Sequence, residues 1–389
     1  MFKDGCRRSK LKNKLRSRND VIKVHADEKI SGYQLSLLLF TFIVSTLILS
    51  VPGIMVAFAK QNAWLSILPA SLTGIVNIWV LTSLSKRHPG KSIIEYASSI
   101  CGKWIGTIIG FYLTYYLFFF ISSTVNEHAG FINIILLMNT PPLVSMATML
   151  VLCGFVVLAG VEAIARCNEV ILPVIILLLV PMFLLSLRDM DPARLTPILA
   201  EGILPVLKGS VVPSAWMSQF FFLGWFLPHL NEQPHRIRKH LTVSWGGVVL
   251  LVMTIDIITI TVFGPITPRL KFAFFKVIQY IGILGSLERL ETIAITIWIL
   301  GIFIKISMLL YMFSLSASQL FFARNYRKTV LPVTLLSIVG SVWIFRSDAQ
   351  FQAWITFTYP VLAFITQSLL PLLLLGIDVL RAKPSKSIG

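Results

Sequence analysis

Long apolar runs separated by short polar segments repeat along the whole chain. Ten of them, at about 33–59, 63–84, 104–136, 143–161, 170–187, 210–230, 241–264, 290–320, 329–345 and 353–377, are long enough and poor enough in charge to cross the ~30 Å hydrocarbon layer as helices. They are called spans 1 to 10 below. No stretch alternates apolar and polar residues with the period of a barrel strand, so the pattern predicts an all-α membrane protein. Composition agrees: 56% of the residues are hydrophobic and 13% charged, with a mean hydropathy of +0.81.

The spans fall into two sets of five around residue 208, and an odd number per half forces the halves into opposite orientations. After span 2, "SKRHPGKSIIEYASSICGKW" holds a short amphipathic pattern near Ile93–Ile100. After span 7, "PITPRLKFAFFKVIQYIGILGSLERLE" holds another near Phe275–Ile281, on the opposite side of the membrane. Equivalent loops in equivalent places predict a 5+5 inverted repeat. The expected organisation is a basic tail (1–29), a first repeat (30–187), a linker (188–209), a second repeat (210–377) and a short tail (378–389).

Charge then orients the chain. With the first tail inside, the inner loops beyond it carry 14 Lys and Arg and the outer loops 9, so positive-inside places both termini in the cytosol. The formal net charge of +17 follows from this topology and from the tail, which has no apolar segment of a signal peptide behind it. No soluble basic domain exists to hold nucleic acid; the basic partner expected is the anionic lipid surface. Four Cys without CxxC spacing predict no disulfide and no metal cluster. His229, His235 and His240 read as an ordinary polar loop. The absence of a nucleophile elbow, a zinc-protease motif or a phosphate loop argues against an enzyme, and no cofactor is expected.

Two spans carry chemistry that a plain anchor does not need. Span 1 contains "STLILSVPG", with Ser45, Thr46, Ser50, Pro52 and Gly53. Span 6 reads "SVVPSAWMSQFFFLGWFLPHL", with Ser218, Gln219, Gly224 and Pro228. Proline removes a backbone donor and clashes with the preceding turn, and small polar neighbours re-satisfy the freed groups. One such span is explained by a simple kink. A matched pair in the two halves predicts broken helices 1 and 6, whose ends present N–H and C=O groups to a small ligand such as an amino acid. The expected binding residues are Ser45, Thr46, Leu47 and Ile48 on span 1, and Gln219, Phe220, Phe221 and Gly224 on span 6.

At this point "GILPVLKGSVVPSAWMSQFFFLGWFLPHL" and "ERLETIAITIWILGIFIKISMLLYMFSLSASQLF" resemble the spore-germination permeases, the B subunits of germinant receptors, within the amino acid–polyamine–organocation superfamily. The resemblance runs from about Ile30 to Leu375. It implies ten helices in a LeuT-like fold, the inner membrane of the endospore, a small germinant such as an L-amino acid, and partner A and C subunits. Span 3 lines the pocket in that fold, which adds Tyr112 and Tyr115. The chain departs from its relatives at Ser45 and Leu47, where Gly is usual, and at Trp225, where many have an acid.

Charges inside spans are costly and tend to be paired or functional. Lys305 lies on a span 8 stripe with Glu291, Trp298, Gly301, Met312 and Ser316, which must face the bundle interior. Its ammonium could replace a coupling cation and shuttle a proton, serve as a fixed charge on the carbonyls of broken helix 1, or snorkel. Asp256 on span 7 and Glu127 on span 3 are candidate partners, and Glu127, Asp256, Glu291 and Lys305 form the expected coupling or gating set. Glu288, Arg289 and Glu291 suit the N-terminus of span 8, while Glu162, Arg166 and Glu169 are expected to bracket the loop before span 5. Gly102, Gly106 and Gly110 form a small-residue stripe for close helix packing. The leading reading is a germinant-sensing membrane subunit. The alternatives are a free-standing proton-coupled amino-acid transporter and, from another class, an ion or water channel; an intramembrane enzyme is more distant.

Overall fold

The computed structural model describes residues 28–230, 232–284, 290–321, 323 and 325–381. Most of the first tail, the last eight residues, and Glu288 and Arg289 lie outside the described residues. Helices build the rest: α1 (Gly32–Ser50), α2 (Pro52–Ala59), α3 (Ala63–Arg87), α5 (Lys103–Ile135), α6 (Pro142–Ala159), α7 (Val161–Ser186) and α8 (Leu204–Met217) make up or open the first six spans, with the short α4 (Ile93–Cys101) between the second and third. The second half continues with α9 (Leu223–Phe226), α10 (Pro234–Phe263), α11 (Ala273–Leu284), α12 (Leu290–Leu320), α13 (Arg327–Trp343), α14 (Asp348–Ala353), α15 (Tyr359–Ala363) and α16 (Leu370–Arg381).

Among the described residues, eight helical stretches are long and apolar enough to cross a membrane by length and composition. The other expected spans are helical too: span 6 is divided into α8, a 3₁₀ turn and α9, and span 9 is α13, of 17 residues. The amphipathic helices α4 and α11 occupy matching positions in the two halves, between spans 2 and 3 and between spans 7 and 8. The architecture is therefore a multi-pass helical bundle with the five-plus-five repeat.

Helices α1 and α12 are the most enclosed, with 78% and 72% of their apolar windows buried, against 28% for α7, which faces outward. Small residues allow the close approaches. A Cβ on Gly301 of α12 would stand 3.1 Å from Cβ of Ser45 on α1, so these two central helices cross almost backbone to backbone. Two of the three glycines of the expected stripe seat α4 on α5: a Cβ on Gly106 would meet Cα of Ser98 at 2.2 Å and one on Gly110 would meet Ile94 at 3.2 Å, whereas Gly102 (φ +87°) is the link between the two helices with nothing within 4 Å.

Both spans expected to break depart from regular α-helix. Span 1 divides at Val51, just before Pro52, and span 6 leaves α-helix at Ser218 for a 3₁₀ turn over Ser218–Phe222. The span 1 break lies at the end of the polar stretch, so Ser45 to Ile48 remain inside a continuous helix. There the Val51 N–H still donates to Leu47 O at 3.1 Å and the Met55 N–H to Val51 O at 3.0 Å, which makes the break a kink with little unwinding.

A second difference concerns Glu162, Arg166 and Glu169. They lie on the first turns of α7, because Gly160 (φ +110°) joins α6 to α7 through a single residue and no charged loop intervenes. Glu162 and Arg166 pair one turn apart at 3.7 Å.

At the end of the bundle nearest the first tail, residues 28–32 are stitched to several helices. The Glu28 carboxylate accepts from the Val161 N–H (2.9 Å) and Arg327 Nη2 (2.6 Å) and from the Tyr326 hydroxyl, while Ile30 N–H donates to His229 O at 3.1 Å. Burial, and next the Glu28 carboxylate, push the Tyr326 phenol well above its usual pKa, so it remains a neutral donor.

Candidate functional site

The middle of the bundle holds a small polar cavity, with about 270 Å³ of space between atoms, part of it open to solvent. Five spans line it. Span 1 contributes Thr46, span 3 Phe120, Ser123, Thr124 and Glu127, and span 6 Trp216 and Gln219. Span 8 contributes Lys305, and span 10 Phe351, Trp354, Ile355 and Tyr359.

Lys305 is 1% exposed, and an isolated ammonium at that depth would cost several kcal/mol. The surroundings offset the cost. Nζ donates to Thr46 Oγ1 at 2.7 Å and to Gln219 Oε1 at 3.0 Å. It also lies 4.6 Å from the centre of the Phe42 ring and 5.6 Å from that of Phe120, within the range of cation–π attraction. An ammonium has three donors; two are used, and one is left without a protein acceptor.

The partners of Lys305 are held in turn. Trp216 Nε1 donates to Thr46 Oγ1 at 2.8 Å, and Gln219 Nε2 donates to the Tyr359 hydroxyl at 2.8 Å, which donates to Ala215 O at 3.2 Å. A second chain lies beside it: Ser218 Oγ donates to Gln367 Oε1 at 2.7 Å, and Gln367 Nε2 to the Tyr116 hydroxyl at 2.6 Å. Both chains rest on irregular helix. The 3₁₀ turn of span 6 carries Ser218 and Gln219, and two π-helical stretches of span 10, Trp354–Thr358 and Phe364–Leu369, bring in Trp354, Ile355 and Gln367. Such stretches are frequent at functional sites.

Glu127 faces the same cavity. Its Oε1 accepts from the Ser50 hydroxyl, and Oε2 has no hydrogen-bond partner. Lys305 and Glu127 do not form a direct ion pair within 4.0 Å; the cavity separates them. An amine and a carboxyl, each with a free hydrogen-bonding position, thus face the same small space.

The expected residues divide accordingly. Thr46, Gln219, Glu127 and Lys305 come together. Ser45 bonds back to Phe42 O and packs against Gly301, Leu47 is fully buried in the core, and Ile48 lines a second, apolar cavity. Phe220 and Phe221 do not line the charged cavity. In a 3₁₀ turn residues three apart share a face, so Gln219 and Phe222 point one way, while Phe220 lies over Gly74 on α3 and Phe221 packs on Trp225. Gly224 faces Ile93 and Tyr96 of α4. Tyr115 is 63% exposed on the outer surface, and Tyr112 bonds to Thr366; Tyr116 is the tyrosine that turns inward.

Asp256 is fully buried on α10 with neither carboxylate oxygen bonded, and it lines neither cavity. Glu291, half-buried in the first turn of α12, also stays outside both. Trp225 donates to Ser316 Oγ at 2.7 Å. The whole contribution of span 10 goes beyond the sequence reading, although "TFTYP" and "ITQS" mark polar groups there.

Comparison with known proteins identifies the family and the fold. Residues 29–349 match the family described as spore germination protein. Spore germination protein YndE of Bacillus subtilis (strain 168) is 25% identical over 300 residues, covering 75% of this chain and 81% of that protein. Spore germination protein KB of the same organism is 24% identical over 323 residues, covering 81% and 85%. Among solved structures, the nucleobase-cation-symport-1 transporter MHP1, in a closed conformation with bromovinylhydantoin bound, superimposes with a TM-score of 0.66 at 12% identity, covering 90% of this chain and 78% of that one. A substrate-bound, outward-open Na⁺-coupled sialic acid symporter gives 0.61 at 11% identity, covering 88% and 79%. At these identities the likeness shows the shared transporter fold.

Proposed function

The chain belongs to the spore germination protein family of membrane permeases, and from that premise we propose that it is the membrane subunit of a germinant receptor that binds a zwitterionic amino acid between Lys305 and Glu127. The observation that carries this reading is the pair of opposite charges that face one small cavity without touching. A free amino acid has the complementary pair. Its carboxylate would accept the third Lys305 N–H, and its ammonium would donate to Glu127 Oε2. Charge-assisted bonds of this kind are among the stronger ones in proteins. The free ends of a broken helix, the ligand donors expected from sequence, are replaced in this reading by side chains.

Binding can act as a signal only if the ligand prefers one of two conformations. The Ser50–Glu127 bond offers such a difference. Ser50 ends α1 immediately before the Val51–Pro52 kink. A ligand ammonium on Oε2 that turns the Glu127 carboxylate into the cavity would draw Oε1 away from Ser50 and free α2 to move. The A and C subunits of the receptor would read that movement in the spore inner membrane, with both tails of this subunit in the cytosol.

The test compares a responding L-amino acid with its N-acetyl derivative and its methyl ester, by calorimetry on the protein in lipid nanodiscs. Both derivatives should lose binding, since each lacks one of the two charges. Binding of the N-acetyl form at the affinity of the free amino acid would remove Glu127 from the site. The symporter-like fold supports a second reading, proton-coupled transport through the same cavity. Net uptake into proteoliposomes by this subunit alone would favour it.

A further inference from the structure

A second cavity, with about 370 Å³ of empty space, lies next to the charged one, and none of its lining residues is charged. Its walls include Leu49 of α1, Phe131 of α5, Leu179 of α7, Phe275 of α11, and Ala294 and Trp298 of α12. Three of these helices also wall the charged cavity, in the same register. Leu49 is three residues beyond Thr46, Phe131 four beyond Glu127, and Trp298 seven before Lys305, on a helix that runs the other way. At about 1.5 Å and about 100° per residue, these offsets place the apolar residues roughly one to two turns further along, on nearly the same helix faces. The charged and apolar cavities are therefore stacked, with the Ser50–Glu127 bond at the step between them.

We infer that the apolar cavity is the side-chain subsite of the amino acid held by Lys305 and Glu127, and that it selects a bulky apolar side chain. This rests on the zwitterion reading above. The occupant follows from the walls: aliphatic and aromatic groups cannot solvate a charged or strongly polar side chain, and a glycine or alanine would leave the space empty. When the ligand ammonium on Oε2 turns the Glu127 carboxylate away from Ser50, the step between the cavities opens, and the side chain can enter while the charged groups stay on Lys305 and Glu127.

The experiment measures Kd for glycine, L-alanine, L-leucine and L-phenylalanine by calorimetry on the protein in nanodiscs, for the native chain and for Ala294→Phe. Native protein should bind leucine or phenylalanine at least about tenfold more tightly than glycine, as expected for methylenes in an apolar pocket. Ala294→Phe fills the cavity, and should weaken leucine by about tenfold or more while glycine changes by less than about threefold. Ala294→Val, a smaller addition that the site accommodates more easily, should shift leucine in the same direction, and melting curves confirm that each variant is folded. Equal affinity of native protein for glycine and leucine overturns the subsite and leaves the zwitterion site standing. Equal weakening of glycine and leucine by Ala294→Phe does the same. Failure of all four amino acids to bind removes the zwitterion reading, and the subsite with it.

Discussion

Lys305→Met separates what the buried ammonium does for the fold from what it does for the ligand. The substitution keeps the length of the side chain and removes two hydrogen bonds, to Thr46 at 2.7 Å and to Gln219 at 3.0 Å. Thr46 Oγ1 keeps its bond from Trp216, whereas Gln219 Oε1 loses its partner and Glu127 loses the opposite charge across the cavity. Deleting one member of a buried charge pair costs about 3–5 kcal/mol when the other is left alone. Glu127 still accepts from Ser50 and was never in contact with Lys305, so a loss near the lower end, about 3 kcal/mol, is expected. Ligand binding should suffer separately. A hydrogen-bonded charge pair at a buried interface is worth about 2–5 kcal/mol on truncation, or about 30-fold to several thousandfold in Kd. Adding Glu127→Gln removes the lone charge, so the double variant should regain most of the lost stability and still fail to bind. Thermal melting and calorimetry on the native chain, both single variants and the double variant give the whole cycle. A folded Lys305→Met protein with native affinity would refute the assignment of Lys305 to the ligand. Lys305→Arg adds a discriminating arm: a fixed charge should preserve the fold, and its larger planar head should weaken binding in a cavity this small. Near-native function of the Arg variant would exclude a titrating role for this group.

Thr46→Val removes the shared acceptor of Lys305 and Trp216 with little change of shape, and should cost about 1–3 kcal/mol of stability by leaving buried donors unpaired; an unchanged melting temperature would mean that these bonds contribute nothing net. Gly106→Ala should destabilise by at least about 1–3 kcal/mol, because its Cβ would meet Cα of Ser98 at 2.2 Å. Gly130→Ala, with nothing within 4 Å, should instead stabilise by about 0.5–1 kcal/mol; the reverse order in melting experiments would refute the α4–α5 packing. Deleting residues 1 to 23 should leave the topology unchanged, since the remaining loops still carry 14 Lys and Arg on one side against 9 on the other; the labelling of a Cys introduced in the 188–208 segment would reveal an inversion.

Hydrophobicity is a local property, and the sequence by itself determined what depends on it. The apolar runs mark the helices, the odd number per half implies the inverted repeat, and the rarity of charge inside spans picks out Lys305 and Glu127. The polar residues in spans 1 and 6 likewise identify Thr46 and Gln219 and the two places where helix geometry fails. The direction of each side chain is a different matter, because it depends on helical phase, which the packing partners set. The 3₁₀ turn at Ser218–Phe222 rotates Phe220 and Phe221 away and keeps Gln219 on the cavity. The orientation of α5 turns Tyr116 inward and leaves Tyr115 outside. Gly160 at φ +110° moves three charged residues from an expected loop onto α7. Span 10 shows the limit most clearly: polar residues mark it in the sequence, but the phase that puts Trp354, Ile355 and Tyr359 on the cavity wall is set around its first π-helical stretch, Trp354–Thr358. Bonds such as Gln219 to Tyr359 and Ser218 to Gln367 join residues 140 and 149 positions apart, and those pairings exist only once spans 6 and 10 have packed together.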